Sequence, residues 1–250
     1  MLNYGRESLR RNATLICFTF YKNVLLTLPP FFYGFFTGMS GLVVYSPYLT
    51  LNFNTLHTAI PIMVVALFDK EFHGDYLADN PYLYIQGMMG QVFNSNLFWK
   101  WMSISTYQAI IILCITYWSI LQSTNDQYNG KMNGYTIFGI LQYTTIVIIV
   151  NIKIYLISYN VSILLLFVMV LSIVLYFANV YMMSNILNTF ELEGVFAKAF
   201  GQINPWIGIF LIFVFTIGID YFLSNYAYFK KVAKDLDLRR IIEDAERELE

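Results

Sequence analysis

Residues 13–38 read ATLICFTFYKNVLLTLPPFFYGFFTG, and Lys22 is the one charged side chain among them. The run is longer than the about 20 apolar residues that a helix needs to cross roughly 30 Å of hydrocarbon. The rest of the chain has the same character. Of its 250 residues 58% are hydrophobic, 18% aromatic and only 12% charged, with a mean hydropathy of +0.56. Soluble domains average about 25% charged residues, so this composition identifies a membrane protein. Five further stretches, 49–68, 99–121, 136–157, 161–182 and 205–226, are long and apolar enough to span. The expected fold is therefore an all-α integral membrane protein with six transmembrane helices. Its second span is the weakest, interrupted by Asn52, Asn54, His57 and Pro61, and its fourth and fifth form a tight hairpin.

Basic residues set the expected orientation. With a cytosolic N-terminus, twelve of the fifteen fall on the inner side and two, Lys131 and Lys198, on the outer. That is a positive-inside bias, so both termini are expected in the cytosol. The implied organisation is a cytosolic segment over 1–12, a membrane domain over 13–226 and a tail over 227–250. In the tail, Leu238, Ile241, Ile242, Ala245 and Leu249 recur at helical spacing and predict an amphipathic helix. Its plainest role is a solvated juxtamembrane helix with basic residues near headgroups. The N-x-S/T sequons at Asn12 and Asn160 fall on the cytosolic side and should carry no glycan. No signal-peptide pattern opens the chain.

Several function classes are excluded. A net charge of −1 does not suit a nucleic-acid binder. Two histidines and two cysteines, Cys17 and Cys114, make neither a zinc site nor a disulfide framework. These 250 residues contain no P-loop, no G-x-S-x-G and no HExxH. Phe68-Asp69-Lys70-Glu71 has Asp-Lys without the Thr-Gly-Thr of a phosphorylation loop. Asp220, near the inner end of the last span, is expected to reach the headgroups. No catalytic residue and no cofactor site are expected in this stretch of chain.

Lys22 is the anomaly. If the first span enters at Ala13, Lys22 lies about nine residues in, roughly 14 Å deep. An ammonium there costs about 2.5–3.5 kcal/mol on insertion scales and ordinarily faces a bundle interior with a partner. No other span offers a carboxylate at mid-depth. Neutral polar groups are available instead: Asn23 beside it, and Asn54 and Thr58 one turn apart on the second span. Two readings stay open. In one, the anion arrives with a ligand. In the other, Lys22 is structural, capping carbonyls freed near Pro29 and Pro30 or pairing with an acid on another chain. Pro61 is the expected helix kink, because it frees the carbonyl one turn earlier, near His57 and Thr58. Kinked helices with open backbone at mid-depth recur in transporters. Gly34 and Gly38 make a GxxxG that favours close helix approach.

An ordered set of motifs runs through the chain. It begins with Gly5-Arg6 and Phe20-Tyr21-Lys22-Asn23, then Phe35-Phe36, Gly38, Ser40-Gly41 and Tyr45. It continues with Asn54, Thr58, Pro61 and Phe68-Asp69, and with Pro81-x-Leu83-Tyr84-x-x-Gly87, Phe93-Asn94 and Phe98-Trp99-x-Trp101. It closes with Asn151-x-Lys153 and Asp220-Tyr221-Phe222. In this order and spacing, over about residues 4–228, the set resembles the C-terminal membrane half of the type IV P-type ATPases, the ATP-driven phospholipid flippases.

The resemblance implies that the six helices are the fifth to tenth of a ten-helix transporter. That transporter moves phospholipid from the outer to the cytosolic leaflet. Its ATP- and Mg2+-dependent head lies upstream, and none of the head's motifs occurs in these 250 residues. By the same resemblance, Lys22 is tied to cargo transport, and Asn23 and Asn54 match positions near the headgroup path. On the flippase reading, Lys22, Asn23, Asn54 and Thr58 together line a polar, substrate-binding groove that passes a headgroup while the acyl tails stay in lipid. The implied partners are phospholipid, an N-terminal ATPase half and a two-span glycosylated accessory subunit. The implied location is a plasma membrane or endomembrane of a eukaryote. Three positions depart from the family pattern: Tyr4 in place of histidine, Pro29-Pro30 in place of a Thr-Gln type pair, and Met88 in place of glutamine. The alternative reading is a non-catalytic scaffold or regulatory module, such as the flippase-like part of a cyclase fusion. An independent six-span carrier fits least, since the chain shows neither an internal repeat nor a coupling carboxylate.

Overall fold

A computed structural model describes residues 5–71, 93–121, 134–159, 162–185 and 194–222, and residue 225. The tail helix, the Pro81–Gly87 motif, Tyr4, Met88, Lys131 and Asn160 lie outside the described residues.

The apolar runs form helices, because a backbone in lipid must satisfy its own hydrogen bonds. Helix α1 covers Gly5–Phe36, and α2 (Pro47–Asn52) and α3 (Ala59–Phe68) together make the second span. Helix α4 is Ser95–Thr116, α5 is Tyr135–Ile157 and α6 is Ile163–Asn185. A short α7, Val195–Phe200, precedes α8, Ile203–Phe213. Among the described residues six helical segments are long and apolar enough to cross a membrane: Gly5–Phe36, Pro47–Phe68, Ser95–Ser119, Tyr135–Ile157, Ile163–Asn185 and Ile203–Phe222. The chain is a multi-pass membrane protein. Residues 5–12 are the first two turns of α1 itself.

The bundle turns its polar groups inward. Gln108, Gln142, Thr144, Asn151, Ser172 and His57 are fully buried, whereas Phe35, Phe36, Leu51, Met63, Phe167 and Phe210 are exposed. Lipid offers no hydrophobic drive between helices, so packing and interhelical hydrogen bonds hold such a bundle together. Helix α5 is the axle. Of its most apolar stretch 67% is buried, against 28–39% for the other five spans. Three buried tyrosines bring hydroxyls to this core and find partners there. Tyr45 donates to Gln142 Oε1 (2.9 Å), Tyr143 to the Leu49 carbonyl (2.6 Å), and Tyr176 meets Thr144 Oγ1 (2.6 Å). At Gly139 on α5, an added Cβ would lie 2.0 Å from the Val44 carbonyl oxygen, so only glycine admits the 40–46 connection there.

The expected GxxxG contact does not form. Helix α1 stops at Phe36, and Gly38 (φ 61°) lies in the turn beyond it, while Met39 N–H donates to the Gly34 carbonyl (2.8 Å). Gly38 is there for its left-handed backbone, as at many helix C-termini. Pro29 and Pro30 lie inside α1 without ending it.

At the end where α1 begins, ion pairs and hydrogen bonds lash three spans together. Arg10 bonds Asp69 Oδ2 and Glu7 Oε2, both at 3.0 Å, and Arg6 reaches Glu71 Oε2 at 3.1 Å. Asp69 Oδ1 accepts from Ser158 Oγ (3.2 Å) and the Tyr159 N–H (3.0 Å), which ties in the hairpin between α5 and α6. Arg11 donates to the Ala66 and Leu67 carbonyls at the end of α3, satisfying backbone acceptors that the helix leaves open.

Candidate functional site

The second span breaks at its middle. Pro61 sits in the first turn of α3, where a missing N–H is tolerated. The carbonyl four residues earlier, that of His57, is therefore without its helical donor. The chain accommodates this by opening Phe53–His57 into a π-helical turn and setting Thr58 off the helical path (φ −139°, ψ −8°). The His57 carbonyl then takes hydrogen bonds from Asn151 Nδ2 (3.1 Å) and Ser172 Oγ (2.6 Å).

Lys22 meets this break. It lies 5% exposed in the middle of α1, about 26 Å along the helix from Gly5 and 21 Å from Phe36 at 1.5 Å per residue. Its Nζ donates to Thr58 Oγ1 at 2.9 Å, and Thr58 passes its own proton to the Phe53 carbonyl (2.7 Å). The Phe53 ring centroid is 5.8 Å from Nζ, within cation–π range. Among the described residues no carboxylate pairs with Lys22, so one neutral acceptor and one ring face an ammonium that has three N–H donors. Such a site has spare capacity for an anion.

Lys22 and Thr58 are thus brought together. Pro61 is buried just beyond the break. Asn23, next to Lys22, is half-buried and its carbonyl accepts from Thr27 Oγ1. Asn54 is exposed, whereas Thr58 is fully buried. The two would share a face in a regular helix, but the π turn shifts the phase between them.

Two neighbouring networks escaped the sequence. Asp220 does not reach for headgroups. It is half-buried against Lys153 Nζ (2.5 Å), and Gln108 Nε2 donates to the same carboxylate oxygen (2.6 Å). Tyr21 OH in turn donates to Gln108 Oε1, so the ion pair is wired to the residue preceding Lys22. The signal was present, since Lys153 and Asp220 both fall near the C-terminal ends of their spans. His57 is the second case. Tyr143 OH gives its proton to Leu49, so His57 Nδ1 (2.9 Å away) donates to Tyr143, and Nε2 accepts from Asn179 Nδ2 (3.3 Å). Those partners fix a neutral ring with its proton on Nδ1. Nothing in the local sequence pointed to this role.

Comparison with known proteins agrees with this architecture. The family described as phospholipid-translocating P-type ATPase C-terminal matches residues 1–232. The mouse phospholipid-transporting ATPase ID is 29% identical over 154 residues, covering 62% of this chain and 13% of that protein. The probable phospholipid-transporting ATPase 5 of Arabidopsis thaliana is 29% identical over 151 residues, 60% of this chain and 12% of that protein. The probable phospholipid-transporting ATPase DNF3 of Saccharomyces cerevisiae is 29% identical over 153 residues, 60% of this chain and 9% of that protein. The matched region is therefore a small part of each relative's length. With six spanning helices, a buried lysine at the break in the second, and a family match over nearly its whole length, the chain belongs to the phospholipid-translocating P-type ATPases, as a C-terminal membrane part of the type IV group.

Proposed function

We propose that this chain is the transport half of an ATP-driven flippase and carries phospholipid headgroups from the outer to the cytosolic leaflet. One observation carries the reading: a mid-membrane ammonium whose protein partners among the described residues are a hydroxyl and a ring. Burying an unpaired charge is costly, and a phospholipid brings a phosphate to every encounter. Lys22 and Thr58 form the anion contact. Asn23 and Asn54 line the polar path beside it, and the acyl tails stay in lipid. The kink at Pro61 sets the break of the second span beside that path. ATP and Mg2+ act in an N-terminal ATPase half, and a two-span glycosylated accessory subunit completes the assembly. The resemblance to the family supports both of these points.

The test is co-expression of the chain with a complementary N-terminal ATPase half in cells that lack endogenous uptake. Fluorescent phosphatidylserine and phosphatidylcholine are supplied from outside. ATP-dependent movement of either lipid to the inner leaflet is expected. A correctly inserted, co-purifying pair that moves neither lipid would favour the scaffold reading instead.

A further inference from the structure

The break in the second span is clamped from two sides, and the clamp adjoins the Lys22–Thr58 contact. Asn151 lies on α5 and Ser172 on α6, and both are fully buried. Each directs a donor at the His57 carbonyl, Asn151 through Nδ2 at 3.1 Å and Ser172 through Oγ at 2.6 Å. Asn151 spends its other amide proton on the Val147 carbonyl of its own helix (2.8 Å). Its Oδ1 is buried without a hydrogen-bond partner among the described residues. A buried amide oxygen left unpaired is costly. Turning the amide over would set that oxygen against two carbonyls, so its orientation is fixed by what Nδ2 donates to. The ring of the same residue, His57, is held by Tyr143 and Asn179. Residue 57 is thus fixed through both backbone and side chain, and the next residue in the chain is Thr58.

The geometry points to Asn151 and Ser172 as positioning residues. By gripping the carbonyl that Pro61 frees, they hold the bend that sets the Thr58 hydroxyl against Lys22, so they tune lipid affinity without touching lipid. This rests on the reading of Lys22 and Thr58 as the headgroup contact. Two side chains satisfying an orphan carbonyl also have a merely structural role, and Pro61 allows the two roles to be separated. Pro61→Ala returns an N–H at the position from which a helix would satisfy the His57 carbonyl. In a Ser172→Ala background that N–H replaces the lost donor and lets the helical ladder close. Stability then recovers, but the bend is no longer held.

The experiment uses the complete purified transporter, with phosphatidylserine and phosphatidylcholine each added as mixed micelles. ATP hydrolysis is followed against lipid concentration, alongside the melting temperature. Ser172→Ala and Asn151→Leu are each expected to raise the half-saturating lipid concentration about tenfold and to lower the melting temperature. Ser172→Thr, which keeps the hydroxyl, is expected to stay within about twofold of the parent. Adding Pro61→Ala to Ser172→Ala is expected to restore the melting temperature while the lipid response stays impaired, with Pro61→Ala alone as the reference. Should Ser172→Ala alone fold too poorly to purify, the double variant carries the same comparison. A lipid response that returns together with the melting temperature overturns the inference, as do single variants that leave it unchanged. Lys22→Ala separates the two levels. If Lys22→Ala abolishes lipid stimulation while the clamp variants leave it unchanged, the positioning role alone falls. If Lys22→Ala leaves stimulation intact, the headgroup site itself falls.

Discussion

Lys22→Met in the complete transporter is expected to lower lipid-stimulated ATP hydrolysis about 10- to 100-fold, the range set by losing one charge-assisted hydrogen bond of about 1.5–3 kcal/mol. The same substitution is expected to raise the melting temperature. The two changes have opposite signs because they act on different states. Without lipid, the ammonium is held by Thr58 at 2.9 Å and by the Phe53 ring, with no carboxylate among the described residues. Removing it relieves much of an insertion cost of about 2.5–3.5 kcal/mol, and methionine keeps an unbranched apolar side chain at the position. With lipid present, the counter-charge that made the lysine worth keeping has nothing to meet. A lysine retained for structure predicts the reverse pattern, a lower melting temperature with lipid stimulation largely intact. Lipid titrations and thermal melts on one purified preparation separate the two.

Asp220→Leu is expected to produce the largest loss of stability. The carboxylate serves Lys153 and Gln108 through one oxygen, with Lys153 enclosed by the rings of Tyr21 and Trp101 at 5.7 and 5.9 Å. Removing only the acid leaves a buried ammonium and a buried amide donor unmatched. Breaking such a pair from one side costs about 3–5 kcal/mol. The double variant Asp220→Leu with Lys153→Met removes both charges and is expected to recover most of the loss, leaving mainly the unmet Gln108 amide. Melting temperatures of the two single variants and the double variant form the cycle. If the double variant is as unstable as Asp220→Leu, the loss comes from packing of the last span rather than from the unpaired charge. Tyr21 bonds Gln108 and precedes Lys22, so the single variant is also expected to weaken the lipid response.

How much of this was legible in the sequence follows from what lies close together in the chain. Each span is a local run of apolar residues, and all six were readable, although the first helix begins at Gly5, two turns before the apolar run that marked it. The break at His57 was readable too, because the effect of Pro61 reaches only one turn back. Partnerships between spans were less accessible. Lipid and core are both apolar, so an apolar run carries little information on which face turns inward. Asp220 illustrates this: its depth was readable, but its rotation towards Lys153 was not. Asn54 and Thr58 show a second limit, because regular helical spacing places them together and the π turn separates them. The Gly34–Gly38 spacing misled for a related reason, as the helix ends between the two glycines. Asn151 stood in the sequence as part of a motif, and Ser172 as one hydroxyl in an apolar helix. Only their shared carbonyl gives either a purpose.

The most direct test of the central claim is a density map of the complete transporter trapped with phospholipid in transit. A phosphate oxygen is predicted about 3 Å from Lys22 Nζ, the distance of a charge-assisted hydrogen bond, with Thr58 close by. A lipid resolved with its phosphate elsewhere, while Lys22 still rests on Thr58 alone, would contradict it.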